Sequence, residues 1–425
     1  MVTGSEALIL GSRVLLCAVV VFGLLRAAEA GRKLKFVNLI YRHGDRSPIN
    51  NYPTDPYTEK DWPQGFGQLT QFGMRQHYML GQYLRHRYKD FLNSSYDREE
   101  IYVRSTDVDR TLMSAQSDLA GLYPPREYQI FKPDLNWQPI PVHTVPAEDE
   151  KFLKFPIPNC PRFDKLLEES MNSKTVQDKV KENQALLDMV SERTKSKVTF
   201  QNVWKLYDTL LCEKIHNFSL PSWVTPEVIA RLRELYDLSM ETLFRIHETR
   251  VKSRLQGGVL LKQILQNITQ AMNDTNSTPR LKLIMYSAHD TTLIALQIAL
   301  NIYNGINPPY ASCHMFELYQ EDDGSFTLDM YFRNNTNSEA HLLVLPSCTE
   351  HCPLQNFIQN TKDLISDNRD EECKLSRDSK QKEAILIAAL CICLVLLISL
   401  LITLCCCWNR KARHHRFPSN TEELA

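Results

Sequence analysis

The chain has 425 residues and a formal net charge of −1, with 49 Lys and Arg against 50 Asp and Glu. This length allows two or three domains. The balanced charge argues against a nucleic-acid partner, because such proteins carry a basic excess. Any positive charge that the protein uses must therefore be local.

Residues 1–30 are typical of a signal peptide. Arg13 precedes an apolar run at residues 14–25, and the sequence AEA at residues 28–30 provides a small-x-small cleavage site. The apolar run is too short to span a bilayer. We expect the mature chain to begin near Gly31 and to fold in an exported compartment.

An apolar run at residues 34–41 predicts a buried strand that leads directly into RHGDRSP at residues 42–48. His43 follows Arg42 and precedes Arg46 by three positions. Guanidinium groups bind phosphate oxygens bidentately, and an imidazole among them can attack phosphorus. The motif predicts an anion-binding loop with His43 as the nucleophile. Taken alone, it also fits a surface loop that happens to be basic.

Two later segments follow the same plan. Residues 101–104 predict a short strand that leads into STDVDRT at residues 105–111, and residues 281–286 predict another that stops just before His289 and Asp290. A helical pattern follows Asp290. In open α/β sheets, ligands bind outside the carboxyl ends of the strands. These segments are therefore expected to meet the histidine loop at one edge of a sheet.

The remaining pattern predicts an α/β domain with a helical insertion. A helix is predicted at residues 70–88, and strands at 315–320 and 326–332 flank a hairpin loop. Between roughly residues 125 and 279, the alternation of strands and helices lapses. Polar helical stretches replace it there, such as those at residues 174–192 and 225–254.

Residues 384–408 predict a single transmembrane helix, since the apolar stretch is long enough to span a bilayer. Four Lys and Arg residues follow within residues 410–416. The positive-inside rule therefore places the tail, residues 409–425, in the cytosol. The sequence predicts a single-pass type I membrane protein whose residues 31–383 are lumenal or extracellular.

The three loop segments together resemble the histidine acid phosphatases, in particular their vertebrate lysosomal and prostatic members. The resemblance runs from about residue 34 to residue 373 and includes further shared segments. The third loop segment reads YSAHDTT at 286–292, and the further segments are WPQGFGQLT at 62–70, KSRLQGGVL at 252–260 and PPYASCH at 308–314. It implies an α/β fold with a mixed central sheet and helices on both faces, like that of phosphoglycerate mutase. It also implies a smaller, mainly α cap domain at about residues 125–279.

The resemblance implies an acid phosphatase that hydrolyses phosphate monoesters to an alcohol and phosphate. His43 would form a phosphohistidine, and Asp290 would protonate the leaving-group oxygen. The substrate's phosphate would be bound by Arg42, Arg46, Arg110 and His289. Neither a metal ion nor an organic cofactor is expected.

Two of these assignments have rivals in the sequence. Arg104 competes with Arg110 for the phosphate, but we expect Arg104 to end its strand and pair with a carboxylate. Asp290 could instead serve as the N-cap of the helix that begins at Thr291, or could do both. The arginines beside His43 should oppose protonation of its ring, because like charges disfavour the cation. A protonated Asp290 at low pH would then explain an acid optimum.

The exported domain contains six cysteines, an even number that predicts three disulfides in an oxidising compartment. Spacing alone permits many connectivities. The resemblance implies the pairs Cys160–Cys373, Cys212–Cys313 and Cys348–Cys352. Sequons agree with export and predict N-glycosylation at Asn93, Asn217, Asn267, Asn273, Asn276 and Asn334.

Other functions and locations fit parts of the pattern. A phosphoglycerate mutase-like enzyme shares the Arg-His-Gly nucleophile, but the signal peptide and Asp290 count against it. A catalytically inactive ectodomain acting as a receptor or adhesion module is the main alternative. We expect the lysosomal membrane as the location; the tail has neither tyrosine nor dileucine, so the plasma membrane stays open. A homodimer is implied only by the resemblance.

Overall fold

The computed structural model describes residues 31–274, 280–375 and 377–414. Residues up to Arg369 form one unit, and residues from Asp370 onward form a second. The predicted signal peptide at residues 1–30 lies outside the described residues. So do the sequon at Asn276 and the end of the predicted tail, residues 415–425.

The described strands form one mixed sheet with the order β2-β3-β1-β4-β5-β6, and β7 pairs with β5. They are β1 (Lys33–Arg42), β2 (Ile101–Ser105), β3 (Leu283–Ala288), β4 (Cys313–Gln320), β5 (Phe326–Arg333), β6 (His341–Leu343) and β7 (Cys352–Pro353). The central strands β2, β3 and β1 are parallel, whereas β4 and β5 are antiparallel to their neighbours. The mixed sheet and its five main strands were predicted from the sequence, with small differences at the ends.

Helices connect and cover these strands. Those before the insertion are α1 (Gln71–Arg87) and α2 (Asp109–Leu122). The insertion contains α3 (Pro161–Met171), α4 (Lys174–Glu182), α5 (Gln184–Thr194), α6 (Val203–Ile215), α7 (Pro226–Phe244), α8 (Thr249–Leu255) and α9 (Gly257–Asn273). The later helices are α10 (Asp290–Ala299), α11 (Leu354–Thr361), α12 (Arg369–Glu372) and α13 (Arg377–His414).

Helices pack on both faces of the sheet, as predicted. Leu80 of α1 and Leu119 of α2 are buried in a cluster with Leu39 of β1. The opposite face carries a second cluster, in which Leu293 of α10 joins Ile40 of the same strand. Successive strand residues point to opposite faces, so the mainly apolar residues of β1 serve two cores at once. A run of this kind is typical of a strand that is buried on both sides.

Helices α3 to α9 lie within the range predicted for the helical insertion. Leu187 of α5, Leu210 of α6 and Leu235 of α7 are buried in the same cluster as α9 and α10. The insertion therefore shares its core with one face of the sheet and belongs to the same unit. Its description as a separate cap domain at about residues 125–279 stays a prediction.

Both long helices predicted within the insertion are interrupted. The stretch at residues 174–192 divides at Asn183, whose side-chain oxygen accepts hydrogen bonds from the Arg231 guanidinium. The stretch at residues 225–254 divides because His247 and Glu248 adopt positive φ angles of 61° and 49°. Residues in that left-handed region cannot continue a right-handed helix.

The cysteines agree only in part with the predicted disulfides. Cys348 and Cys352 form a disulfide with a Cα–Cα distance of 5.5 Å. Cys160 and Cys373 are each disulfide-bonded; that they pair with one another stays a prediction.

The predicted Cys212–Cys313 disulfide is wrong for this structure, in which both residues are buried free thiols. The Cys212 sulfur on α6 lies 3.6 Å from Arg46 Nη1 and 3.8 Å from the Tyr310 hydroxyl. Cys313 instead packs in the cluster beneath α1 and α2, and its sulfur lies against the neighbouring carbonyl of His314. The two side chains therefore have different surroundings.

One predicted glycosylation site is also wrong. The Nδ2 of Asn267 is buried and donates hydrogen bonds to Asn38 Oδ1 at 2.8 Å and to the Tyr286 hydroxyl at 2.9 Å. An acceptor nitrogen in that position cannot carry a surface glycan. The other described sequon asparagines are exposed, and their glycosylation stays a prediction: Asn93, Asn217, Asn273 and Asn334.

Helix α13 contains the predicted membrane span. Its segment Ile387–Leu404 has a mean hydropathy of 3.1, and none of it is buried by the rest of the protein. Within the described residues, this is the one helix long and apolar enough to cross a membrane. The apolar stretch agrees with a C-terminal membrane anchor.

Candidate active site

A cavity of about 760 Å³ lies at the carboxyl ends of β1, β2 and β3. The loops that follow these parallel strands carry the predicted site residues, and the carboxyl ends of parallel strands meet at one edge of a sheet. Every predicted catalytic and phosphate-binding residue lines this cavity: Arg42, His43, Arg46, Arg110, His289 and Asp290.

Backbone hydrogen bonds hold the phosphate loop, which we define as residues 42–48, in place. The amide of His43 donates to the Ala288 carbonyl at 3.0 Å, and its carbonyl accepts from the amide of Ala311 at 3.1 Å. The amide of Gly44 donates to Ser114 Oγ in α2 at 3.0 Å. The nucleophile is thus held from three sides by elements far apart in the sequence.

His43 is buried and neutral. Its Nδ1–H donates to the Gly44 carbonyl oxygen at 2.8 Å, which leaves the lone pair on Nε2. Burial lowers the pKa of His43 well below its usual value, and the charges of Arg110, Arg42 and Arg46 lower it further. A histidine of this kind stays unprotonated, and hence nucleophilic, at acid pH.

Arg42 and Arg46 are each paired with a carboxylate. Arg42 Nη2 lies 3.0 Å from Asp290 Oδ2, while its Nη1 donates to the Pro308 carbonyl at 2.6 Å. Arg46 forms a two-point pair with Asp208 at 2.8 and 2.9 Å. Such pairs fix the plane of a guanidinium group and so determine where its other donors point.

Of the three arginines that line the cavity, Arg110 is held most weakly, by a 3.4 Å hydrogen bond from Nη1 to the Gly67 carbonyl. Burial, followed by the charge of Arg46, lowers the pKa of Arg110 to about 10, so it is charged at acid and neutral pH. Within the described part of the chain, the buried Nε atoms of Arg42, Arg46 and Arg110 have no hydrogen-bond partner. Unsatisfied buried donors of this kind are unfavourable unless an acceptor binds; a phosphate oxygen is such an acceptor.

His289 and Asp290 lie where β3 passes into α10. His289 occupies the N-cap position, and Asp290 is the first residue of the helix; the alternative role of Asp290 as the N-cap is therefore wrong. His289 Nε2 lies 3.0 Å from Thr106 Oγ1, and its ring centroid is 5.6 Å from that of His43. Burial and then Arg110 lower the pKa of His289 to about 3. A helix N-terminus also favours a bound anion.

Asp290 is ionised in the unliganded site. Burial alone would raise its pKa, but the charges of Arg42 and Arg46 outweigh burial and hold the pKa below its ordinary value. Its Oδ1 also accepts from the Thr291 amide at 2.7 Å. Asp290 therefore needs either a change of surroundings or a proton from the substrate before it can act as an acid.

Arg104 lies outside this constellation, as predicted. It lies in β2 and forms a pair with Glu150, with Nη2 at 3.0 and 2.9 Å from the two carboxylate oxygens. A carboxylate partner was expected for it from the sequence. The distinction between Arg104 and Arg110 is thus clear in the geometry.

Two residues at the site were missed by the sequence analysis. Asp208 lies on α6, in the helical insertion, and pairs with Arg46. Tyr310 packs its ring 4.2 Å from the Arg42 guanidinium carbon, and its ring centroid is 5.7 Å from that of His43. Tyr310 falls within the shared segment PPYASCH, which was a usable signal, whereas Asp208 has no motif around it.

Solved structures with the same fold include two phytases. The phytase of Hafnia alvei in its apo form has a TM-score of 0.61 at 17% identity, covering 82% of this chain and 100% of that one. The phytase of Klebsiella sp. ASR1 has a TM-score of 0.59 at 19% identity, covering 81% of this chain and 98% of that one. At these identities the likeness concerns the fold.

Curated relatives are much more similar in sequence. Lysosomal acid phosphatase of Rattus norvegicus is 53% identical over 374 residues, which covers 88% of each chain. Lysosomal acid phosphatase of Homo sapiens is 52% identical over 396 residues, 93% of each chain. Prostatic acid phosphatase of Bos taurus is 50% identical over 357 residues, 84% of this chain and 91% of that protein.

A family model described as "Histidine phosphatase superfamily (branch 2)" matches residues 33–337. That range includes the three loops that form the cavity and all six residues of the predicted site. With more than half of its length matched and about half of its residues identical to the relatives, the chain belongs to branch 2 of the histidine phosphatase superfamily.

Proposed function

We propose that this chain is an acid phosphatase that hydrolyses phosphate monoesters to an alcohol and phosphate through a phosphohistidine on His43. The observation that carries the proposal is the neutral His43, with a free lone pair on Nε2, in a cavity lined by three arginines whose Nε donors have no partner among the described residues. This combination suits phosphoryl transfer, which needs an in-line nucleophile and positive charge around the equatorial oxygens.

In the first step, Nε2 of His43 attacks phosphorus, and the bond from phosphorus to the alcohol oxygen breaks. Asp290 gives its proton to that oxygen, so the alcohol leaves uncharged. In the second step, water attacks the phosphohistidine and the P–N bond breaks. The Asp290 carboxylate accepts the proton from the water, and His43 is restored as phosphate departs.

The proton on Asp290 is best supplied by the substrate at acid pH. The arginine charges keep Asp290 ionised in the free site. A bound phosphoryl group neutralises part of that charge and places a second anion beside the carboxylate, and both effects raise the pKa of the carboxyl group. A monoester that binds as its monoanion brings the required proton. Because the substrate must bring this proton, we expect the activity to have its optimum at acid pH.

We propose that Arg42, Arg46, Arg110 and His289 bind the phosphate oxygens. Arg110 has no carboxylate partner in the described residues, so its charge is fully available to the substrate. His289, which is neutral, would act as a hydrogen-bonding group and not as a cation. The arginines supply the positive charge that a metal ion supplies in other phosphatases, and we propose that the reaction uses neither a metal nor an organic cofactor.

The rest of the cavity suits a variety of alcohols. Its walls beyond the phosphate site include Trp204, Tyr236, Leu211 and Ile215. These side chains offer apolar contact, and polar side chains such as Lys154, Arg233 and Asp237 line the cavity beside them. A wall of this mixed kind can accept both apolar and polar alcohols. Broad activity on small phosphomonoesters is therefore the function we propose.

For the location, we propose a single-pass type I protein of the lysosomal membrane with residues 31–383 in the lumen. The apolar span Ile387–Leu404 and the basic residues that follow it support this orientation. Lysosomal relatives at about half identity support the compartment. The plasma membrane is the alternative, because the tail lacks tyrosine and dileucine signals.

We also propose a homodimer. The loop at residues 128–137 exposes an apolar surface on which Tyr128 and Phe131 are 83% and 61% accessible. Trp137 packs against Phe131, with ring centroids 6.4 Å apart. Exposed aromatic clusters of this kind usually mark contact surfaces. Sedimentation of the detergent-solubilised protein would test this, and a monomer at micromolar concentration would contradict it.

Activity is tested with the full-length protein in detergent. Phosphate release from an aryl phosphate is measured across pH 4–8, with a chelator present, for the wild type and for His43→Ala. We expect metal-independent turnover at acid pH that is lost in the variant. Rapid quenching into alkali, which preserves a phosphoimidazole, should trap the phosphoryl group on the wild type alone. Absent activity in both proteins would favour the inactive receptor-like ectodomain, and equal activity in both would exclude His43 as the nucleophile.

A further inference from the structure

We propose that helix α6 of the insertion positions the phosphate loop through an ion pair and a histidine–carboxylate hydrogen bond, which makes Asp208 and His216 positioning residues for the reaction. The proposal rests on the phosphatase function argued above. It adds the statement that the insertion acts on the phosphate site itself, besides forming the wall of the cavity. Two contacts of neighbouring loop residues carry it.

The first contact joins Arg46 to Asp208. Arg46 Nη1 lies 2.9 Å from Asp208 Oδ2, and Nη2 lies 2.8 Å from Oδ1. Arg46 Nη1 also donates to the Ser47 carbonyl at 3.2 Å. Both terminal nitrogens are therefore engaged, and the buried Nε–H is left without a partner in the described chain. Asp208 thus fixes the rotation of the guanidinium group and reserves its Nε–H for the ligand.

The second contact joins Asp45, the residue just before Arg46, to the end of the same helix. His216 Nε2 lies 2.7 Å from Asp45 Oδ2, and the same oxygen accepts from the hydroxyl of Thr70. Asp45 is fully buried. His216 is the C-cap of α6 and packs edge-on against the Trp62 ring, with centroids 5.1 Å apart.

In the first contact, the loop provides the guanidinium group of Arg46 and α6 provides the carboxylate of Asp208. In the second contact, the loop provides the carboxylate of Asp45 and α6 provides the imidazole of His216. These two helix residues are eight positions apart, which corresponds to roughly 12 Å along the helix axis. A shift or rotation of α6 would break both contacts together. The arrangement therefore fixes the loop at two points and specifies one register between loop and helix.

The position of the loop matters for the chemistry, because a displacement of about 1 Å can cost roughly a hundredfold in rate. A simpler view is that Asp208 is only a negative charge near the site. That view makes the opposite prediction: removing the charge should tighten the binding of an anion, since less repulsion remains. Positioning and simple repulsion can therefore be distinguished by the direction of one change.

The first test compares Asp208→Asn with Glu317→Gln. Glu317 is likewise a buried carboxylate paired with an arginine, with Arg87 Nε at 2.7 Å, but it lies in the middle of β4 and away from the cavity. The measurements are kcat and KM for an aryl phosphate, inhibition by inorganic phosphate, and thermal melting, all on the full-length protein.

For Asp208→Asn we expect KM and the inhibition constant of phosphate to rise by roughly 10- to 100-fold, with a smaller loss of kcat. Glu317→Gln should lower the melting temperature and leave both constants within about twofold of wild type. Tighter phosphate binding in Asp208→Asn would overturn the proposal. A wild type without turnover would instead refute the phosphatase function, so the two failures are distinguishable.

The second test asks whether Asp208 acts through Arg46. If it does, Asp208→Asn should change KM by less than about threefold in an Arg46→Lys background, because the two-point pair is already lost. An equal effect in both backgrounds would contradict the mechanism. For the other pair, His216→Ala should weaken phosphate inhibition and His216→Gln, which keeps a donor, should restore most of it. Equal inhibition in wild type, His216→Ala and His216→Gln would remove His216 from the proposal.

Discussion

A Cβ atom added to Gly73 would lie 2.2 Å from the carbonyl oxygen of Asp45. Gly44 faces the same turn of α1, and a Cβ there would lie 2.5 Å from the Gly73 carbonyl oxygen. The phosphate loop and the first turn of α1 therefore meet backbone to backbone. No side chain fits between them, and the position of His43 depends on this contact.

Gly73→Ala is expected to displace the phosphate loop. The new methyl group meets backbone atoms, which cannot rotate away, so the loop must shift and kcat/KM should fall by about a hundredfold or more. Gly81→Ala is the matched control: it lies in the same helix and meets the Asp118 carbonyl of α2 at 2.0 Å, away from the loop. Both variants should melt earlier, but Gly81→Ala should keep the wild-type KM. A Gly73→Ala enzyme with normal kinetics would contradict the role of the contact.

The roles of Arg110 and Arg104 can be separated by substitution. Arg110→Ala removes a charge that lines the cavity and has no carboxylate partner, so KM should rise by roughly 100-fold. Arg104→Ala leaves Glu150 buried without its partner and should mainly lower the melting temperature. Steady-state kinetics and thermal melting of both variants provide the test. A larger KM effect for Arg104→Ala would reverse the assignment.

The sequence predicted most of the sheet because its central strands carry strong local signals. The run at residues 34–41 is apolar on both faces, as a strand between two cores must be, and it became β1 with a shift of one residue at each end. The three loop motifs each follow such a strand. The order of the parallel strands then brings the three loops to one edge of the sheet, so the six predicted site residues line one cavity.

The features that were missed depend on contacts between distant segments. Asp208 meets Arg46 across 162 positions, and nothing near Asp208 in the sequence indicates an arginine partner. Asn267 belongs to a valid sequon, but its side-chain nitrogen already donates hydrogen bonds to Asn38 and Tyr286. The helix break at His247 depends on backbone angles that the polar pattern does not reveal. Local sequence patterns carry no information about such tertiary contacts.

Asp290→Asn should discriminate between leaving groups. The amide cannot protonate the leaving oxygen, so hydrolysis of an alkyl phosphate should slow by about 10²- to 10⁴-fold. A nitrophenyl phosphate, whose phenolate leaves readily without a proton, should lose much less in its first step. The check is kcat/KM for both substrates, because this constant reports the steps up to formation of the phosphohistidine and not its hydrolysis, with phosphate inhibition as the control for loosening of Arg42. Equal losses for the two esters would argue against a proton donor.

Glu213→Gln should change how stability depends on pH. Burial, followed by the charge of Asp55, raises the pKa of Glu213 to about 8. In the unfolded chain this group loses its proton near its ordinary value, so wild-type stability falls as pH rises from about 4.5 towards 8. The variant should therefore melt later than wild type at pH 7.5 and similarly at pH 4.5. If the melting temperatures of variant and wild type differed by the same amount at both pH values, the raised pKa of Glu213 would be contradicted.

His314 should affect stability in the opposite sense. It is fully buried in β4, stacked on Phe316 with ring centroids 4.7 Å apart, and both ring nitrogens lack partners within the described residues. Burial, and then the nearby His341, lower the pKa of His314 to about 3. The folded protein keeps this ring neutral, whereas the unfolded chain takes up a proton below about pH 6.5. Stability is therefore lost as pH falls from 6.5 towards 3.

At pH 5, protonation of His314 in the unfolded chain lowers the free energy of unfolding by about 2 kcal/mol. This pH lies about 1.5 units below the pKa of the unfolded chain, and each unit corresponds to about 1.4 kcal/mol. His314→Phe removes the titrating ring and keeps a flat apolar group beside Phe316. Its stability relative to wild type should rise by that amount between pH 7.5 and pH 5, as measured by urea unfolding. An equal effect of His314→Phe on stability at both pH values would mean that the ring is not held neutral in the folded protein.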